Sequence, residues 1–449
     1  MSHQDFSYER RVTALLQTNG YYLERNRKTP QNAITELDAV AIRFAPGDTK
    51  TRVVEYKNSA VTCTDALKAA GRTLLLDKAE GAIVASGPPS GTAHFRDFCQ
   101  RLGVVAVTDA PDAASVHQHL AAVGWTASHD PDLCNHWSAV YLVEDAFKRV
   151  LDRCRDSAPP DSPPRRAHQY LSALDCDMWW RYRNCWSRAK LSYDLHFKHR
   201  RVAQDVAAHF QAGTPYAHAG AHLTPQQHLR VAFAYGRCPP AQAAMYVQTR
   251  ARIAVLAAAC ECALSPPETR PAHTDWLPAR FRQAVSKLEE TPDLTAGLVP
   301  FLQTWVLGWG AFFVLHRQEE EQQVLAQQLG DDPANIPRYI DLVTELLQIE
   351  PDFDLQPGSW LAVITPQGNP QWQIRTMKLI AEPVKGLGIL ARRLWWSPEE
   401  FAALPEFMRD WAAWVPSYVS RLAAPENGTG PYDWQSIDTA TEQHRQPAL

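Results

Sequence analysis

The sequence predicts two unlike parts: an α/β domain over 1–125, with a mixed sheet flanked by helices, and a mainly α-helical region after it. Three observations lead there. All 15 Trp lie at Trp125 or later, although the chain-average rate would put roughly four in the first 124 residues. The first block alternates short helical and strand-like patterns, and the strand signal nearly vanishes beyond it. A Pro-rich run, Ser157–Arg166 (SAPPDSPPRR), then marks a connection. Residues 126–166 therefore read as a connecting helix and linker, and 167–449 as a helical, Trp-rich domain for binding, assembly or sensing.

The elements follow in order. Glu9, Val12, Thr13 and Leu16 share one helical face, and Asn19-Gly20 suits the left-handed turn that closes a helix. Ala33–Phe44 reads as a strand, Ala45-Pro46-Gly47-Asp48 as a turn, and Arg52–Lys57 as the returning strand of a hairpin. Thr64–Lys78 has helical spacing, Gly81–Ser86 is a short apolar strand, Thr92–Leu102 is helical and Gly103–Thr108 is strand again. The order is helix, two or three strands, helix, strand, helix, strand.

Beyond Trp125, Asn135–Cys154 is an amphipathic helix, and helical patterns run at about 167–211, 224–264, 276–290, 298–330, 333–350 and 397–423. Trp360–Ile380 is the exception and reads as a hairpin.

Composition narrows the function. The chain has 449 residues, 45% of them hydrophobic and 21% charged, which excludes a disordered or fibrous protein. A net charge of −4 excludes a polycation, so any nucleic-acid contact must come from a local basic patch. Nine scattered Cys and a polar start (MSHQDFSYER) predict a reduced, cytoplasmic protein without a signal peptide. Leu294–Leu315 runs 22 residues without a formal charge, long enough to span a bilayer. Gln303 inside it favours a buried helix over a membrane span. Neither GxxxxGK[ST] nor GxGxxG occurs, so no ATP or dinucleotide site is indicated.

The chemistry concentrates on the first hairpin. Side chains alternate along a strand, so Glu36 and Asp38 share one face, as do Glu55 and Lys57 on the returning strand. Two carboxylates side by side repel unless a cation neutralises them. A hard divalent ion does so with oxygen ligands, and Mg²⁺ keeps waters able to attack a phosphodiester. An adjacent Lys57 would orient such a water or balance developing charge. The bland alternative is a solvated hairpin face on which Lys57 pairs with Asp38 or Glu36.

Glu9 on the helix, Asp38 on the second strand and Glu55-Tyr56-Lys57 on the third, followed by helix and strand, resemble the PD-(D/E)XK nucleases with the restriction-endonuclease-like fold. The resemblance covers roughly residues 5–110. It implies that Asp38 and Glu55 bind Mg²⁺ (or Mn²⁺), that the Tyr56 carbonyl joins them, that Lys57 assists the attacking water and that Glu9 completes the site. Leu37 stands where the motif has Pro. No clear Gln occupies the following helix, where Lys68 or Arg72 would substitute. The resemblance also implies a DNA endonuclease in prokaryotic defence against foreign DNA, with a homodimer or a defence complex as its assembly. The rivals are a non-catalytic nucleic-acid-binding or scaffolding protein with a degenerate nuclease fold, an RNA-cleaving effector, and a membrane-tethered nuclease.

Outside the hairpin, Met178–Arg201 carries seven Lys or Arg against one Asp, interleaved with aromatics. Trp179, Arg181, Arg183, Arg188, Lys190, Lys198, Arg200 and Arg201 are therefore candidate nucleic-acid contacts, set against a helix with aromatics inward and charges solvated. His196 and His199, Cys176 and Cys185, His218 and His222, and Cys260 and Cys262 invite a zinc reading, but neither a C-x2-C nor an HExxH spacing occurs, and buried thiols with surface histidines are the default.

Overall fold

Helix α1 (His3–Thr18) begins the chain and buries Tyr8, Val12, Leu15 and Leu16 along one stripe. It ends where Gly20 takes a φ of +80°, a conformation that only a residue without Cβ adopts easily. The chain belongs to a computed structural model that describes residues 3–28, 36–76, 80–90, 94–157, 159–171, 184–199, 202, 205–206, 239–346, 361–364, 372–377, 380–406, 408–409, 411–413 and 415.

Three strands follow: β1 (Tyr22–Lys28), β2 (Glu36–Arg43) and β3 (Lys50–Lys57). They form an antiparallel meander, and the turn between β2 and β3 is the expected one, with Asp48 N–H donating to the Ala45 carbonyl at 3.2 Å. Helix α2 (Cys63–Leu75) crosses to β4 (Glu80–Ala85), which lies parallel to β3. Helix α3 (Phe95–Arg101) crosses to β5 (Val104–Val107), parallel to β4, and helix α4 (Ala113–Ala122) closes the series. The result is a five-stranded mixed sheet of order β1-β2-β3-β4-β5 with flanking helices.

Thr62 and Asp65 form a reciprocal capping box that fixes the start of α2. The small residues Ala66, Ala69 and Ala70 let α2 lie close against Ile83 and Ala85 of β4, beside Phe95 and Cys99 of α3. On β3, alternate residues face opposite helices. The Tyr56 hydroxyl accepts from Thr13 of α1 at 3.0 Å, whereas Glu55 is ion-paired to Arg72 of α2. Helices α1 and α2 therefore cover opposite sheet faces.

The remainder is mostly helical, as expected. Helix α5 spans Pro131–Ser157. The Pro-rich run is not a linker throughout: residues 163–171 are helical, because Pro163 and Pro164 fall in a first turn whose N–H groups have no intrahelical partner. The continuous helix expected over 298–330 is also incorrect. Helix Pro292–Gln303 passes into one π-helical turn at Thr304–Gly308, and then come strand β6 (Phe312–Val314) and a new helix, Gln318–Leu329. Gly310 and Ala311 break it, with φ of +73° and +58°. The expected hairpin is present as β7 (Leu361–Ile364) and β8 (Ile374–Met377), and β6 adds to β8 to give the order β6-β8-β7. Further helices include Cys185–His199, Pro239–Leu264, Ala279–Glu289, Asn335–Leu346 and Glu382–Ala391. Among the described residues no helix is long and apolar enough to cross a membrane.

The chain divides into two units. One comprises Met1–Ser138, Ser172–Asp194 and Ala254–Pro300; the other comprises Ala139–Leu171, Leu195–Ile253 and Phe301–Leu449. The second unit is built around tryptophans: Trp305, Trp309 and Trp411 are fully buried, and Trp309 stacks on Trp395 at 4.6 Å. Arg392 lies among them, paired with Glu321 and resting over Phe312 at 4.0 Å.

Candidate active site

The site is assembled by sheet register. Ala39 pairs with Val54 and Val40 with Val53, so one further step brings Asp38 level with Glu55 on the adjoining strand. Residues opposite each other in an antiparallel pair project from the same face, and Lys57 shares the face of Glu55 by alternation. The expected convergence of Asp38, Glu55 and Lys57 therefore holds at the level of faces. Glu36 is described only as a backbone position of β2.

Asp38 also sits where regular pairing lapses. The β1–β2 ladder pairs Arg25 with Ala39 and Arg27 with Leu37 but omits Asn26 and Asp38, and Asn26 has a φ of +53°. The Asp38 carboxylate fills the gap left where the β2–β3 ladder ends at the Ala39–Val54 pair, with Oδ2 accepting the Tyr56 N–H at 2.8 Å. In an extended strand the N–H and C=O of one residue point to the same neighbour, so the Tyr56 carbonyl is directed toward the same gap. Burial raises the Asp38 carboxyl above its ordinary range, against the opposing pull of the Tyr56 N–H, Arg72 and Lys57.

Glu55 is almost wholly buried, and both its oxygens carry cations. Lys57 Nζ lies 2.8 Å from Oε1, and the Arg72 guanidinium pairs with Oε2. Lys57 also approaches Asp65 Oδ1 at 3.9 Å. Partial burial pushes Asp65 upward, but the Thr62 hydroxyl and N–H, with Lys57 and Lys68, outweigh it and hold the carboxyl below its usual range. Asp65 and Arg72 lie seven residues apart on α2, two turns, and so share one helix face. Of the two cations weighed as a substitute on this helix, Arg72 reaches the site and Lys68 is exposed.

Glu9 takes a different place. It is half-buried on α1, and its charge acts on the Tyr56 hydroxyl, which burial first and then Glu9 and Asp38 push upward. It thus stands on the α1 side of β3, opposite the Lys57–Glu55–Arg72 cluster. A carboxylate that sequence reasoning missed is Glu24. It pairs with Val40, which pairs with Val53, so Glu24 shares the face of Asp38 and Glu55; it is buried and accepts from the Tyr22 hydroxyl. Its only signal was the alternation Tyr22, Glu24 within a polar strand. Among the described residues no three His, Cys, Asp or Glu side chains form a metal-binding group.

The basic stretch is described in part. Trp179, Arg181, Arg183, Arg200 and Arg201 lie outside the described residues, and Lys198 is described only as a helical backbone position. Within Cys185–His199, Trp186 and Tyr193 face inward and Lys190 pairs with Asp194 on the exposed side. Arg188 is buried and ion-paired with Glu261, so it is not a surface contact. Of the thiols and imidazoles weighed for zinc, Cys176, His218 and His222 also lie outside the described residues, whereas Cys185, Cys260, Cys262 and His196 are buried.

Neither a protein-family model, nor a curated protein, nor a solved structure matches the chain.

Proposed function

We propose that the N-terminal sheet carries a Mg²⁺-dependent phosphodiester hydrolase site of the PD-(D/E)XK kind, acting on DNA in the cytoplasm as a defence endonuclease. The observation that carries it is the juxtaposition of Asp38 and Glu55 at the point where the β2–β3 ladder ends, with Lys57 on the same face. The element order, with a helix, a three-strand meander, a crossover helix and a parallel fourth strand, supports a restriction-endonuclease-like core.

The donor chemistry fits the ion. Mg²⁺ is commonly held by one or two carboxylates, with water and substrate phosphate completing its shell. Asp38 and Glu55 would supply the carboxylates and Tyr56 its carbonyl, and Mg²⁺ or Mn²⁺ would supply charge neutralisation and an activated water. Lys57, beside Glu55, would orient the nucleophile and offset charge on the phosphate. Both Glu55 oxygens face side-chain cations in a buried position, and Asp38 is held in place by the Tyr56 N–H.

The test is incubation of the full chain with supercoiled plasmid and Mg²⁺ or Mn²⁺, beside Asp38→Ala and Lys57→Ala. Metal-dependent nicking lost in both variants supports the hydrolase, and equal behaviour of all three proteins rejects it. Single-stranded RNA in a parallel reaction separates an RNA-cleaving effector. A second reading, a nucleic-acid-binding protein with no catalysis, is favoured by one observation: both Glu55 oxygens are already held by side-chain cations. It predicts binding without nicking at any metal concentration.

A further inference from the structure

Glu55 has more positive charge around it than one carboxylate requires. A single buried carboxylate is neutralised by one cation, yet Lys57 holds Oε1 and Arg72 holds Oε2. The two monocations together equal the charge of one divalent ion. Their charges also act on Asp38, the other carboxylate that such an ion would bridge. The cations reach the site differently. Lys57 comes from the same strand as Glu55 and is also close to Asp65. Arg72 comes from α2, near its C-terminal end, on a long side chain able to swing without moving backbone. A guanidinium beside a divalent ion on one carboxylate is repelled by it, so the two compete for Glu55. Once displaced, the same planar donor fork matches the paired oxygens of a phosphate.

We infer that Arg72 is an exchangeable occupant of the metal position: it holds Glu55 when no divalent ion is bound, yields that carboxylate to the ion, and then positions a substrate phosphate. This rests on the hydrolase assignment and deepens it. Arg72 is a positioning residue, because it acts on the reaction through Glu55 and the phosphate group.

The experiment is Mn²⁺ binding to the full chain by isothermal titration calorimetry without nucleic acid, for wild type, Arg72→Gln, Arg72→Lys and the exposed control Lys68→Gln, with far-UV circular dichroism to verify folding. Arg72→Gln should bind Mn²⁺ about tenfold more tightly than wild type, Arg72→Lys in between, and Lys68→Gln as wild type. In the plasmid assay Arg72→Gln should reach half-maximal nicking at lower Mn²⁺ while its KM for DNA rises. Should Arg72→Gln not fold, the Arg72→Lys shift decides the matter. Equal or weaker Mn²⁺ binding by the Arg72 variants, with wild-type binding intact, overturns the exchange and leaves the hydrolase assignment standing. Binding by the variants but not by wild type supports the exchange. Absence of binding in every protein overturns both.

Discussion

The Asp38 carboxylate accepts the backbone N–H of Tyr56 at 2.8 Å, so a side chain of one strand closes a main-chain position of the next. This single contact fixes the acid beside Glu55 and explains how a half-buried carboxylate stays ordered at the end of a ladder.

It also sets a stability trade-off. Burial raises the folded-state affinity of Asp38 for its proton above that of the unfolded chain, so the ionised form costs stability once the pH exceeds the folded value, and the cost fades as the pH falls toward the ordinary 3.8. Asp38→Asn keeps an acceptor for Tyr56 and removes that charge. Urea denaturation should show the variant more stable than wild type at pH 7, with the difference shrinking toward pH 4, while metal-dependent nicking is lost. A variant less stable than wild type at pH 7 contradicts the burial account.

Lys385 makes the opposite kind of statement in the second unit. It is buried, its Nζ donates to the Thr376 hydroxyl at 2.6 Å, and burial pushes its ammonium group down from 10.5 to about 7, with Glu382 opposing. Between these values the unfolded chain binds more protons, so stability should rise with pH across that window and carry the full penalty below it. Lys385→Met should flatten this dependence and raise the denaturation midpoint at pH 7. An unchanged pH profile would falsify the assignment of that slope to Lys385.

Two glycines should respond in opposite directions. A Cβ on Gly388 would overlap the Trp309 backbone carbonyl, whereas one on Gly71 of α2 meets nothing within 4 Å. Gly388→Ala should therefore destabilise by at least about 1–3 kcal/mol through overpacking. Gly71→Ala should stabilise by about 0.5–1 kcal/mol through helix propensity. Thermal melts of both variants check the pair.

Glu321 and Arg392 are both fully buried, and Arg392 also donates to the Gly388 and Phe312 carbonyls at 2.6 and 2.9 Å. Removing one partner strands a charge, so Glu321→Ala should cost about 3–5 kcal/mol, and the double variant Glu321→Leu, Arg392→Met considerably less. A double-mutant cycle reads the coupling directly. Independent, additive losses argue against it.

Much of the N-terminal unit was legible because strand alternation and turn chemistry are local. Asp38, Glu55 and Lys57 could be assigned to one face from spacing alone, since a period of two leaves no freedom once the Ala45–Asp48 turn is accepted. Glu24 was not legible: Tyr22–Lys28 is a polar strand whose burial comes from what covers it. Glu9 has the helical position expected of it, but only the packing of α1, whose Thr13 donates to the Tyr56 hydroxyl, shows which sheet face that helix covers. The break after Gln303 was hidden because an unbroken apolar run fits buried helix and buried strand equally.

The amino-acid order alone determined helix α1, the hairpin of β2 and β3 with the pair of acids it presents, and the alternation from α2 to β5, but neither β1 nor α4, because hydrogen-bonded strands and turns impose their own local periodicity. Tertiary structure alone decided which cations meet Glu55, that Arg188 points inward to Glu261, and that the tryptophans of the second unit form a core. Those outcomes depend on which distant surfaces exclude water from a side chain, and no local spacing carries that information.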